Sequence, residues 1–281
     1  MIRQVAIAIL ALASGVAAVQ AQSGASVERG KYLVDTVMTC HNCHTPRGPN
    51  GPLFDKALSG GMRFDEPPFD VTASNITSDR ETGIGAWSDA DIKKLLTTGV
   101  RPNGVPVAIV MPTAFYKVIT ARDLDSIVAY LRTIPPVKNQ VPSPVYKIAL
   151  QPPVVPDAQK QMTEADLGDK LKRGFYLATI AHCMECHTPM EKGVRQWDRL
   201  GAGGFEFPGP WGVSVSRNIT SSKTKGIGAW SDEEIKRAIV AGVSKDGSNL
   251  KPPMGYQYYA TLTPEDLDAV VAYLRTVPAV E

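Results

Sequence analysis

Apolar residues recur at helical spacing in two matching sets along this chain. Ile92, Leu95 and Leu96 follow Ser88 and Asp91, and Ile235, Ala238 and Ile239 follow Ser231 and Glu234. A serine with an acidic residue three positions on is a capping-box signature, and Gly99 and Gly242 stand where a helix would stop in a left-handed residue. Further on, Leu124, Ile127, Val128 and Leu131 follow Thr120, while Leu267, Val270, Val271 and Leu274 follow Thr263 and Pro264. Both sets run i, i+3, i+4, i+7, the stripe of a core-facing helix, and Pro264 suits a first turn. Segments 29–39 and 163–181 read as further helices. No run alternates with period two convincingly enough to predict a strand, so the expected fold class is all-α, with long loops.

The two sets belong to one repeat. Cys40 to Cys183 and His44 to His187 are both steps of 143 residues, and the same step relates GIGAWSD at Gly83 and Gly226, NIT at Asn75 and Asn218, and VAYLRT at Val128 and Val271. Upstream of the cysteines, Arg29-Gly30 and Arg173-Gly174 are 144 apart, so one residue was gained or lost there. A period this long fits two complete domains in tandem better than stacked solenoid units. Between the copies runs a proline-rich stretch with no helical or alternating period, the mark of a semi-rigid extended linker. The expected division is a leader at 1–21, a first domain at 26–137, a linker at 138–162 and a second domain at 163–281.

The leader follows from Arg3, an apolar run from Val5 to Val19 and a small-residue cleavage site around Ala21, the layout of an export signal. The run is shorter than the roughly 20 residues a membrane helix needs. No other segment is apolar enough to span, so no transmembrane segment is expected in the mature chain, peripheral membrane association being left open, and the expected location is the periplasm. At 281 residues, 43% hydrophobic and 21% charged, the composition is that of a globular protein. A formal net charge of +2 without blocks of like charge supplies no field for nucleic acid.

All four cysteines lie in TCHNCHTP and HCMECHTP. Cys-x-x-Cys-His is the attachment signature of c-type haem: two thiols three apart add to the two vinyl groups of one porphyrin, and the next histidine serves as proximal iron ligand. A thioredoxin-like dithiol would need a βαβ setting, and a zinc site would need four ligands per copy where each supplies two cysteines and one repeat-matched histidine. The reading is two covalent haems, on Cys40, Cys43 and His44 and on Cys183, Cys186 and His187. His41 and His182 are not repeat partners and are taken as exposed. Of eight methionines only Met111 and Met254 match across the repeat, each 67 residues beyond its histidine in a proline-containing loop, and these are the expected second axial ligands. Thioether ligation favours ferrous iron. Trp87 and Trp230 are candidates for packing against haem, Tyr116 and Tyr259 for haem contact or core, and Asn75 and Asn218 for loop hydrogen bonding despite heading a glycosylation sequon.

On these motifs the chain resembles a dihaem cytochrome c, two class I cytochrome c domains each wrapped around one covalent haem. Its NIT and GIGAWSD elements are similar to the cytochrome c subunits of bacterial periplasmic alcohol, gluconate and aldehyde dehydrogenases. Family members often carry three haem domains and a membrane-binding C-terminal segment; two haem domains and no such segment are expected here. The resemblance implies an electron carrier with no catalytic residues of its own, taking electrons from a periplasmic dehydrogenase and passing them to a terminal oxidase or another cytochrome. The alternative is a dihaem oxidoreductase, a peroxidase or a sulfur-compound oxidising enzyme, which would require unequal haems; the equivalence of Met111 and Met254 weighs against it.

Overall fold

The computed structural model describes residues 24–49, 51–149, 153–209 and 212–281; the leader at 1–21 lies outside them. The helices run α1 Val27–Lys31, α2 His41–His44, α3 Asp89–Thr98, α4 Ala121–Thr133, α5 Lys170–Ile180, α6 Cys183–Cys186, α7 Asp232–Ala241, α8 Tyr256–Tyr259 and α9 Pro264–Leu274. Their ends follow the sequence chemistry. Ser88 and Ser231 close full capping boxes with Asp91 and Glu234, Gly99 and Gly242 stop α3 and α7 at φ of 71° and 65°, and Thr120 and Thr263 cap α4 and α9.

The all-α expectation is wrong. Of the described residues 37% are helical and 12% are in strands. The strands are β1 Arg47–Gly48, β2 Gly51–Pro52, β3 Arg63–Glu66, β4 Phe69–Thr72, β5 Val145–Tyr146, β6 Met190–Glu191, β7 Val194–Arg195, β8 Glu206–Gly209 and β9 Gly212–Val215. They pair antiparallel as β1-β2, β3-β4-β5, β6-β7 and β8-β9. Each strand is two to four residues long, too short for period-two alternation to register, and sequence reasoning took these hairpins for loops. The proline-rich stretch also has structure. Its Val145 and Tyr146 pair with Asp70 and Phe69, Asn139 Nδ2 donates to the Ser59 carbonyl at 2.8 Å, and Val155 and Ala158 are buried.

The main core does not divide between the repeats, and a small second cluster is formed by Phe69, Val71 and Ala108. One cluster of buried side chains runs through both repeats, from Leu33 and Ile127 to Leu177 and Val271. Polar side chains cross between the repeats as well. Arg29 Nε and Nη2 donate to the two carboxylate oxygens of Asp123 at 2.9 and 2.7 Å, and the Tyr176 hydroxyl from the other repeat donates to the same carboxylate at 2.7 Å. The mirror arrangement has Arg173 Nε on Asp266 at 2.6 Å, joined by Tyr32 from the first repeat at 2.7 Å. Each buried aspartate is thus held by its own arginine and the other copy's tyrosine. Burial and then Asp266 push the Tyr32 phenol up to about 12, so it remains a donor throughout the neutral range.

The one-residue difference in repeat offset has a structural form. Between Arg29 and Cys40 the chain winds as a π-helix over Tyr32–Val37, with the Met38 amide reaching back five residues to the Leu33 carbonyl at 2.7 Å. Its counterpart α5 is plain α-helix. A π-turn is how a helix absorbs one inserted residue while keeping its ends in place.

Within each repeat the first helix crosses the last at a glycine. A Cβ on Gly30 would lie 1.9 Å from the Ser126 carbonyl oxygen, and one on Gly174 would lie 2.0 Å from that of Ala269. Both contacts are with helix backbone, which cannot swing aside. Gly30→Ala and Gly174→Ala should each lower the thermal midpoint by roughly 6–12 °C, from about 3 kcal/mol of overpacking at roughly 2–4 °C per kcal/mol for a chain of this size. Gly168→Ala, with nothing within 4 Å of its Cβ, should leave the midpoint in place.

Candidate haem-binding site

Each CxxCH motif is one turn of helix, α2 or α6, so the two cysteines three apart lie on the same face. The residue before each motif, Thr39 or His182, is left-handed, at φ of 50° and 44°. Neither is a glycine, and this conformation is uncommon for other residues. Its recurrence in both copies makes it part of how the turn is aimed.

The histidines that end the motifs are fixed by backbone. His44 Nδ1 donates to the Ser74 carbonyl at 2.7 Å and His187 Nδ1 to the Arg217 carbonyl at 2.6 Å. A carbonyl only accepts, so Nδ1 carries the proton and Nε2 keeps the lone pair that a metal would use. Burial depresses both imidazoles below the usual histidine range, against the opposing pull of those carbonyls, and so favours the neutral, ligating form.

The repeated motifs in turn position the carbonyls. Asn75, next to Ser74, donates Nδ2 to the Val137 carbonyl at 2.7 Å and accepts from the Thr77 amide at 3.0 Å; Asn218 does the same with Val280 at 2.8 Å and Thr220 at 2.9 Å. Loop hydrogen bonding is therefore what these asparagines do, and Asn75 is buried. GIGAWSD and VAYLRT also meet. Arg132 donates to the Trp87 carbonyl at 2.6 Å and to Asp89 at 2.8 Å, and Arg275 to the Trp230 carbonyl at 2.5 Å and to Asp232 at 2.8 Å. These arginines and the two backbone acceptors escaped the sequence reading. The exact recurrence of the Arg in VAYLRT was the available signal for the first, and a backbone acceptor has none.

Cys40, Cys43, His44, Trp87 and Met111 line the same cavity as Cys183, Cys186, His187, Trp230 and Met254, a space of about 2570 Å3. Pockets for one drug-sized molecule run about 300–1,000 Å3, so this one has room for two large planar groups. Tyr116 and Tyr259 are buried in its wall, and the Tyr259 hydroxyl donates to the Ala181 carbonyl at 3.3 Å. Met111 and Met254 are half-buried and pack on the core.

The donor set fits haem better than it fits the other uses of a CxxC motif. Burial, foremost, pushes the Cys40 and Cys183 thiols up to about 12 and Cys43 to about 11, and raises Cys186 as well. Neutral thiols are poor redox nucleophiles and poor zinc ligands. Among the described residues no three His, Cys, Asp or Glu side chains converge on one point. What remains is, twice over, a pair of thiols on one helical face, an imidazole with Nε2 available and a thioether on one apolar cavity.

The two unmatched histidines are not both exposed as expected. His41 is buried, with Nδ1 2.8 Å from Thr45 Oγ1 and Nε2 3.0 Å from Asp35 Oδ1. The physical reason is the π-turn, which carries Asp35 to the side of the motif where His41 emerges. His182 is part-buried and lies 3.0 Å from Glu185.

Comparison with known proteins bears on this arrangement. Residues 171–278 match the cytochrome c family. Over 90% of its length the chain is 30% identical to the fructose dehydrogenase cytochrome subunit of Gluconobacter japonicus, covering 53% of that protein. It is 27% identical over 98% of its length to the cytochrome c subunit of the quinone alcohol dehydrogenase of Gluconobacter oxydans, covering 59% of it. A diheme cytochrome c-type protein of Cereibacter sphaeroides is 29% identical over 86% of the chain and is itself covered over 83%. The chain thus spans little more than half the length of the first two relatives.

Proposed function

From a chain that carries a cytochrome c domain and is similar along nearly its whole length to cytochrome c subunits of bacterial dehydrogenases, we propose a dihaem c-type cytochrome that relays electrons. Cys40 and Cys43 hold one haem covalently and Cys183 and Cys186 the other. His44 with Met111, and His187 with Met254, are the axial ligands. When bound, such a group supplies one-electron exchange between ferric and ferrous iron. The chain's own residues hold the imidazoles in the ligating tautomer, exclude water with the Trp87, Trp230, Tyr116 and Tyr259 side chains, and offer both iron positions a complete ligand pair. With no coordination position left for a small substrate, the protein is a carrier and the partner dehydrogenase does the chemistry.

The observation that carries this reading is the continuity of the cavity, which two equivalent donor sets line together. It supports exchange between the two groups within one chain. Residues 1–21 direct export, the donor is a periplasmic dehydrogenase, and the acceptor is an oxidase or a second cytochrome. Among the described residues no helix is long and apolar enough to cross a membrane.

Stopped-flow reduction by the dehydrogenase that copurifies with the protein, at several salt concentrations, is expected to be fast and only weakly salt-dependent, given the small net charge. In parallel, the isolated cytochrome is expected to turn over neither peroxide nor thiosulfate. Catalytic turnover of either by the isolated protein would replace the carrier reading with the enzyme reading.

A further inference from the structure

The two sites are built alike but charged differently. In the first repeat the Asp35 carboxylate sits against the CxxCH turn, bonded to His41 and to the Tyr130 hydroxyl, the latter at 3.0 Å, and paired with Lys31. Burial would raise Asp35, but His41, Lys31 and Tyr130 outweigh it and hold the carboxyl below its usual range. It is therefore an anion at neutral pH. The carboxylate side chain is 20% exposed and that of Lys31 63%, so water screens the cation more than the anion.

The second repeat has no counterpart to this cluster. Phe175 replaces Lys31, Met184 replaces His41, and the position of Asp35 falls at Ala178 or Thr179. Phe175 and Tyr273, the mate of Tyr130, pack edge to face at 5.6 Å.

The cavity wall differs in the opposite sense. Arg195, Arg217, Lys225 and Lys251 line its second half, where the repeat register puts Pro52, Ser74, Thr82 and Ala108 in the first. Glu206 and Asp246 offset part of that charge, whereas the first half balances Arg63 and Arg101 against Asp65 and Glu66. Arg217, Lys225 and Lys251 are exposed and screened by water, so Arg195 is the most telling of the four. It is half-buried, and Glu185 is the carboxylate that acts on it. It donates to the carbonyl of Thr188, the residue after His187, at 2.9 Å, and its guanidinium lies 5.2 Å over the Phe205 ring. Burial lowers its pKa, but an arginine stays protonated all the same. Glu185 lies in the second motif and acts on Cys43 as well as Cys186, so its charge is felt at both sites.

We propose that Asp35 and the cationic wall around Arg195 order the two haem sites in potential, with the Cys40/Cys43 site the lower and the Cys183/Cys186 site the higher. A buried anion stabilises ferric iron, the more positive state, and a buried cation stabilises ferrous iron. The first repeat is then the donor side and the second the acceptor side of a one-electron exchange in which one iron is oxidised and the other reduced. This inference rests on the two-haem reading given above.

The test is an optically monitored redox titration of the holoprotein, after its haem content has been counted. The wild type should give two one-electron waves separated by at least about tenfold in the equilibrium constant for exchange, which is about 59 mV. Asp35→Asn should raise the lower wave about threefold to tenfold and leave the upper in place. Arg195→Gln should lower the upper wave and spare the lower, and Lys251→Ala, at an exposed cation and changing the cavity wall to its first-repeat residue, should act in the same sense but less; Arg195→Gln keeps the test intact if the Asp35 variant does not mature. Coincident wild-type waves, Asp35→Asn acting on the upper wave, Arg195→Gln acting on the lower, or variants that move neither would overturn the ordering. A count of two haems with coincident waves defeats this inference alone, whereas a count of one defeats the reading beneath it.

Discussion

Met254→Ala should lower one of the protein's two reduction potentials by on the order of 0.1–0.3 V, axial ligation being the strongest lever a protein has on haem potential. Half of the sulfur-to-iron charge-transfer absorbance should vanish with it. Met111→Ala should do the same to the other potential. The expectation rests on position: both methionines are half-buried in the wall of the cavity that the CxxCH histidines share. A core methionine behaves differently when cut to alanine. It costs about 2–5 kcal/mol of stability and leaves the ligand field alone. Spectroelectrochemistry with a thermal melt on each variant separates the two cases, and unchanged potentials beside a lowered melting midpoint would make these residues packing.

Replacing Cys183 and Cys186 together by serine should halve the haem content, from two per chain to one, and the Cys40 and Cys43 pair should behave identically. Each pair lies on one helical turn facing the cavity, so neither can substitute for the other. Losing one group should also cost soluble yield, because Ile84, Ile227, Phe115 and Tyr259 pack around that space and an apolar cavity of this size is destabilising when unfilled. Intact mass and a pyridine haemochrome assay read both effects; a haem content untouched by either double substitution would place attachment elsewhere.

Much of this was legible in the chain before its structure. Serine and threonine caps with acidic partners three residues on, glycines at the helix ends and the apolar stripes of α4 and α9 are local features, and they fold as their chemistry dictates. The ten candidate ligand and contact residues come together because the repeat register names equivalent positions whatever the fold. What stayed hidden depends on distance through space or on backbone. Strands of two to four residues carry no readable period. Tyr32 and Tyr176 look like ordinary helix residues until the two repeats pack and exchange them. The step from 144 to 143 was visible as arithmetic, yet only the helix geometry shows it as a π-turn that buries His41 against Asp35. The carbonyls of Ser74 and Arg217, which set the tautomers of both ligating histidines, have no side-chain signature at all.

The most direct measurement is the haem-to-chain ratio of the exported protein, by pyridine haemochrome against amino-acid analysis and confirmed by intact mass after acid-acetone extraction. Two haems per chain, both retained through extraction, is the predicted result. A ratio of one, or a colourless protein after extraction, would contradict it.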